Sequence, residues 1–163
     1  MTVTAIHKDP EKLTMSFTAE FDATPERVWQ LWADPQLFGK WWGPPEYPAT
    51  IVDHDFTPGG KVRYYMTGPD GEKYHGWSQF IAIDPPRSLE FGDGFLDDDG
   101  NEVEGMPTMT SRVEISDIGG AVRMVITTSF PSLEAMEQLI EMGAEEGMMG
   151  SLSQVDDLLA AMG

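Results

Sequence analysis

The side chains of this chain that could do chemistry are few. They are His54 in "TIVDHDF", His75 in "KYHGW", Tyr64 and Tyr65 beside Arg63 in "KVRYYM", Arg112, Ser78 in "GWSQF", and the acidic run "FLDDDGNEVEGM". An imidazole with a pKa near ~6.5 passes protons at neutral pH when it faces a cavity beside a partner. His54 alternates with Asp53 and Asp55, so on a strand it points away from both carboxylates. Neither His54 nor His75 stands at a spacing that marks a Ser-His-Asp or His-carboxylate constellation. A hydrogen-bonded strand histidine is the plainer reading of each, and His7 falls in the N-terminal tail. Ser78 lacks the second glycine of a nucleophile elbow and lies in a strand pattern, not at a strand-to-helix turn. The acidic run puts Asp97, Asp99 and Gly100 at calcium-loop positions, but Phe95 and Met106 stand where the first and last ligands belong. A solvated acidic hairpin accounts for it. P-loop, dinucleotide and HExxH patterns are all missing, so neither a metal nor a cofactor is expected.

Composition narrows the classes further. A chain of 163 residues fits one domain and is long enough to bury roughly 70% of its unfolded surface. It has no cysteine, which removes disulfides, thiolate catalysis and zinc–cysteine sites together. The formal charge of −18, with ten Lys and Arg, repels phosphate backbones and anionic lipid, so nucleic-acid and membrane partners are not expected. No apolar run approaches the ~20 residues of a membrane span, and "MTVTAIHKDPEK" lacks the layout of a signal peptide. The expected location is the cytoplasm.

The elements that must position these residues follow from periodicity. Residues 1–12 read as a loose or edge-pairing lead-in to a single domain over 13–163. From Leu13 the chain alternates apolar and polar residues through Phe21, a half-buried strand. Thr24 is the N-cap and Pro25 the first residue of a helix ending at Asp34-Pro35, where a second short helix, "PQLFGKWW", begins. Strand patterns follow, punctuated by Pro58-Gly59-Gly60, Gly68-Pro69-Asp70-Gly71 and Pro85-Pro86. After Ser132, an N-cap, apolar residues recur every three to four positions to Met162, predicting one amphipathic helix of about 30 residues. Strands and helices segregated in this way make an α+β domain, an antiparallel sheet curved around one helix.

Four stretches carry a more specific signal: "FDATPERVWQLWADPQLFGKWWGP", "DFTPGGKVRYYMTGPDG", "IDPPRSLEF" and "GAEEGMMGSLSQVDDLLA". Together, across residues 13–161, they resemble homologues of the heat-shock-protein-90 ATPase activator, members of the SRPBCC or START-like group. The resemblance implies a helix-grip fold, with about seven antiparallel strands gripping the C-terminal helix and a cavity between them. It also places Val62, Tyr64 and Met66 on the concave face.

On this reading the chain is a non-catalytic module holding an apolar or amphipathic small molecule between sheet and helix. Trp42, Tyr64, Met66 and Trp77 are candidate lining residues, Trp77 because it is in phase with Ile81 and Ile83. Phe95, Met109, Met148 and Leu152 complete the set. Gly143, Gly147 and Gly150 in the last helix point either to close packing or to space beside it. Trp41 and Trp42 diverge by about 100° on a helix, so they cannot make the same contact: Trp41 is expected to anchor, and Trp42 either to close the cavity mouth or to anchor as well. The resemblance leaves two alternatives. One is a cyclase- or dehydratase-like enzyme, which requires His54, His75, Tyr64 or Arg112 inside the cavity. The other is a co-chaperone-like interaction domain; the full activator has a further N-terminal domain without counterpart in this sequence, so a chaperone partner is not expected. If the chain self-associates, a C₂ homodimer is the default, but no interface stripe is legible.

Overall fold

The computed structural model describes residues 3–161. The chain opens with β1 (Val3–Asp9) and β2 (Thr14–Phe21), followed by α1 (Pro25–Ala33) and α2 (Pro35–Trp41). Six strands follow: β3 (Ala49–His54), β4 (Lys61–Thr67), β5 (Lys73–Asp84), β6 (Ser88–Leu96), β7 (Met109–Asp117) and β8 (Val122–Ser129). The C-terminal third is α3 (Leu133–Glu141), α4 (Ala144–Leu152) and α5 (Val155–Ala161).

All eight strands form one antiparallel sheet in the order β1-β2-β8-β7-β6-β5-β4-β3. Strict alternation sets its two faces, as in β2, where Met15, Phe17, Ala19 and Phe21 are buried and the residues between them are not. The buried face continues through Phe80, Phe91, Val113, Met124 and Ile126 and joins the helices in one core. The architecture is the helix-grip α+β fold. It carries one strand more than the seven implied by the family resemblance, because β1 from the lead-in pairs along β2.

Thr24 caps α1 by accepting from the Arg27 amide at 3.3 Å. Asp34 then serves two helices: its amide closes the last turn of α1, and its carboxylate accepts from the Gln36 amide at 2.9 Å to start α2. This reversal stacks the two helices against each other and buries Val28, Leu31, Trp32, Phe38 and Trp41 at one end of the sheet.

The C-terminal helix departs from the continuous element its periodicity predicts. Gly143 adopts a left-handed φ of 94° and ends α3, its amide donating to the Ile140 carbonyl at 3.0 Å. A second interruption at Ser153 and Gln154 separates α4 from α5. There the Gln154 side-chain amide donates to the carbonyls of Gly43 at 2.8 Å and Trp41 at 3.2 Å, while Ser151 Oγ accepts from the Gly43 amide at 3.2 Å. The break lets the chain turn its side chains onto the exit of α2. Among the described residues, no helix is long and apolar enough to cross a membrane.

Candidate functional site

The sheet and the C-terminal helices do not close on each other everywhere. A cleft of about 640 Å³ opens between them, within the size range of small-molecule sites. Met66 of β4, Tyr74 of β5 and Phe95 of β6 form its sheet side. Pro44 and Tyr47 from the loop after α2 border it, and Leu139, Met142 and Gly147 form its helical side. Tyr74 and Met142 are exposed at the rim. The charged residues of the lining, Glu46 and Glu146, are both acidic.

The helical glycines divide between the two explanations open to the sequence. A Cβ on Gly147 would meet nothing within 4 Å, so its missing side chain is space that belongs to the cleft. A Cβ on Gly150 would lie 2.8 Å from Pro44 Cβ, so this glycine permits close packing. Gly143 is the turn that ends α3.

One step deeper along the same inward strand faces the chemistry changes. Tyr64 precedes Met66 by two residues and Asp93 precedes Phe95 by two, an advance of about 7 Å along each strand. Asp93 pairs across the ladders with Ser78 on one side and Met109 on the other. Tyr64 pairs with Gly76, and its ring lies across that glycine: a Cβ there would come within 2.6 Å of Cζ and the hydroxyl. Trp42 stacks on Phe38 with ring centroids 5.0 Å apart and meets Tyr64 and Phe91 edge to face. Gly76→Ala should therefore dislodge the Tyr64 ring and cost about 1–3 kcal/mol, read as an earlier urea midpoint.

Three polar atoms in this inner region are fully enclosed without a hydrogen-bond partner: Trp42 Nε1, Ser78 Oγ and Asp93 Oδ1. The fourth such atom among the described residues, Glu145 Oε1, lies 2.6 Å from Lys8 Nζ in an ion pair. Burial lifts the Asp93 carboxyl from its ordinary 3.8 to about 7. Burial, and then the nearby Asp93 charge, holds the Tyr64 phenol well above its usual range. The Trp42 indole leans toward the Tyr64 hydroxyl, which slightly favours its ionised form, without completing a hydrogen bond. Folded proteins rarely leave enclosed polar groups unpaired, so three together set this region apart from the rest of the core.

The eight residues expected to line the cavity do not all meet there. Met66 and Phe95 line the cleft. Trp42, Tyr64 and Met109 stand on the inner face behind it. Met148 packs against the core from α4, and Leu152 in the last turn of that helix is fully buried, beyond the first turn that borders the cleft. Trp77 is on the opposite, convex face. The register of β5 shifts between Phe80 and Ala82, so the parity linking Trp77 to Ile83 in the sequence is reversed by a bulge. Its indole instead covers Gly94, where a Cβ would lie 2.9 Å from Nε1, in a groove with Lys61 and Arg63.

Of the four residues on which an enzymatic reading drew, Tyr64 stands near Asp93, and His54 also turns inward, onto Phe38 and Phe80 at the β3 edge. His54 is tied to the Trp32 carbonyl at 3.0 Å and stacks on Phe56. His75 lies beside Tyr65 with Asp98 at 3.8 Å, and Arg112 bonds Glu114 and Glu90 on the outer face. In the acidic hairpin, Asp97 Oδ1 accepts from the amides of Asp99 and Asn101, folding its own loop. No cluster of three or more His, Asp or Glu able to hold a metal occurs among the described residues. Asp93, which sequence reasoning passed over, shares the parity of Leu89, Phe91 and Phe95, and that parity was the available signal.

Comparison with known proteins matches this chain to a family. The family model described as activator of Hsp90 ATPase homolog 1-like protein matches residues 22–160. A solution structure of an Arthrobacter aurescens protein is 46% identical, covers 98% of this chain and 93% of its own, and superposes with a TM-score of 0.95. A crystal structure from Mycobacterium smegmatis is 44% identical, with 96% of each chain covered and a TM-score of 0.90. At 22% identity the AHSA1 protein from Silicibacter pomeroyi shares the fold, with a TM-score of 0.74 over 92% of this chain and 99% of that one. A search of curated proteins finds no match. The chain belongs to the family of activator of Hsp90 ATPase homolog 1-like proteins, with the helix-grip fold of the SRPBCC group.

Proposed function

We propose that this domain is a binding module for an apolar or amphipathic small molecule, held between the sheet and the C-terminal helices. The observation that carries the reading is the cleft of about 640 Å³, with Met66, Phe95, Leu139 and Met142 on its walls and the open position of Gly147 beside them. Burying an apolar ligand against such walls contributes about 25 cal/mol per Å² removed from water.

Gly147 provides the test. Its φ lies outside the left-handed region and a Cβ meets open space, so Gly147→Ala should stabilise the helix by about 0.5–1 kcal/mol. Gly147→Leu should keep the fold and fill the cleft, lowering the affinity of an environment-sensitive apolar dye about tenfold or more. Dye uptake that is undetectable in the wild type, or unchanged in Gly147→Leu, would remove the cleft as a ligand site.

The interior position of Tyr64 and Asp93 supports a second reading, acid–base chemistry on a bound substrate. A carboxyl poised near neutrality can both take and give a proton. That reading predicts turnover lost in Asp93→Asn while binding persists, followed by substrate consumption under saturating conditions.

A further inference from the structure

The three unpaired atoms and the charges of the cleft point to one kind of head group. An ionised Asp93 is acceptor only, and Ser78 and Tyr64 offer hydroxyls that accept as well as donate. Trp42 Nε1, a donor only, already leans toward the Tyr64 hydroxyl. Around them stand the rings of Trp42, Tyr64 and Phe91, with Phe95 toward the cleft, and an aromatic ring presents an attractive face to a cation. Among the described residues, no Lys, Arg or His borders the cleft, its charged lining residues are Glu46 and Glu146, and Asp93 Oδ1 has no hydrogen-bond partner.

We propose that this inner set receives an ammonium group carried on an apolar body, with Asp93 as its counter-ion, the Ser78 and Tyr64 hydroxyls as further acceptors, and the cleft holding the body. The inference rests on the cleft being a ligand site. An anionic head would meet Asp93, Glu46 and Glu146 with no positive charge to offset them. A neutral alcohol can fill the hydrogen bonds but leaves the carboxyl charge uncompensated. An ammonium supplies three donors and the missing charge together. By the ladder register Tyr64 stands level with Phe95 and Asp93 one step, about 7 Å, further in, so a chain seated in the cleft passes Phe95 to bring its head group to Asp93.

The groups facing Asp93 are Tyr64 from β4, Ser78 from β5 and Met109 from β7, with Trp42 in the aromatic wall beyond Tyr64 and Glu146 of α4 and Glu46 at the cleft. Tyr64 stays neutral throughout the working range, so pH dependence near neutrality belongs to Asp93. Ammonium binding favours the ionised carboxylate. Affinity should therefore rise about tenfold per pH unit up to about 7 and level off above it.

The experiment compares octylammonium, 1-octanol and octanoate by calorimetry on the wild type and Asp93→Asn, with the Trp42 indole N–H resonance as a local reporter. Octylammonium should bind about tenfold or more tightly than octanol, and octanoate most weakly. Asp93→Asn should abolish the preference for the ammonium and keep octanol binding. Octanol or octanoate binding as tightly as octylammonium, or an ammonium preference that survives in Asp93→Asn, would overturn the cation proposal and leave the cleft reading standing. If none of the three binds and the Trp42 resonance stays still, the cleft reading itself falls.

Discussion

Asp93→Asn should make this protein more stable at pH 8 and leave its stability nearly unchanged at pH 4. The sign follows from linkage. Asp93 has a folded-state value of about 7 against an ordinary 3.8, so between those limits the unfolded chain releases a proton that the folded chain retains. Stability thus falls as pH rises through that window, and the full penalty is present above about 7. The rise is worth on the order of 4 kcal/mol, at ~1.4 kcal/mol per unit. An asparagine of the same shape carries no charge to desolvate and escapes that penalty. Differential scanning calorimetry of the two proteins at both pH values reads the effect, with each kcal/mol moving the midpoint by about 2–4 °C. The difference between proteins isolates Asp93 from the general self-repulsion of a chain with net charge −18. Equal stability at pH 8 would show that the carboxyl is solvated or paired, and the case for an inner polar site would go with it.

A carboxyl whose ionisation burial disfavours is not accounted for by packing alone. The Ser111–Thr128 hydroxyl pair on the same inner face shows how this sheet satisfies a buried polar group when structure alone is at stake: the two oxygens lie 2.9 Å apart on adjacent strands. Ser78 and Asp93 are likewise cross-strand neighbours, yet their enclosed atoms remain unpaired. The contrast between two equivalent positions in one sheet is what supports the proposal that the inner set is a site.

The strands, caps and turns were legible because each has a local cause. Thr24 and Ser132 cap helices through their own side chains, and the alternation in β2 needs no knowledge of its neighbours. Features that depend on a partner were not legible. The bulge after Phe80 reverses the face of Trp77, and nothing in "GWSQFIAI" announces the extra residue. The breaks in the C-terminal helix preserve the apolar stripe, so periodicity passes through them; they come from a left-handed Gly143 and from Gln154 reaching the exit of α2. Asp93 was readable in principle from the parity of Leu89, Phe91 and Phe95. Among 28 acidic residues, and between Gly92 and Gly94, it reads as one more solvated carboxylate in a turn.

The adjacent tryptophans should respond to truncation in opposite ways, with Trp41→Ala giving the largest loss of stability. Trp41 is 0% exposed, its indole donates to the Leu31 carbonyl at 2.9 Å, and it meets Trp32, Phe38 and Trp42 edge to face. Its own carbonyl receives Gln154, so the residue joins α1, α2 and the C-terminal helices. Trp41→Ala removes the ring and orphans a buried carbonyl at once, a cost of about 3–5 kcal/mol for the cavity alone. Trp41→Phe should recover much of the packing and retain about 1–3 kcal/mol of loss from the unpaired Leu31 carbonyl. Trp42 also packs tightly, at 7% exposure, but its indole N–H has no partner to orphan. Trp42→Phe should therefore cost little stability while weakening the binding of an apolar probe. Urea unfolding of the three variants, paired with dye titration, separates the roles. If Trp42→Phe proves as destabilising as Trp41→Phe and leaves binding intact, both rings are anchors and the inner wall of the site must be drawn without Trp42.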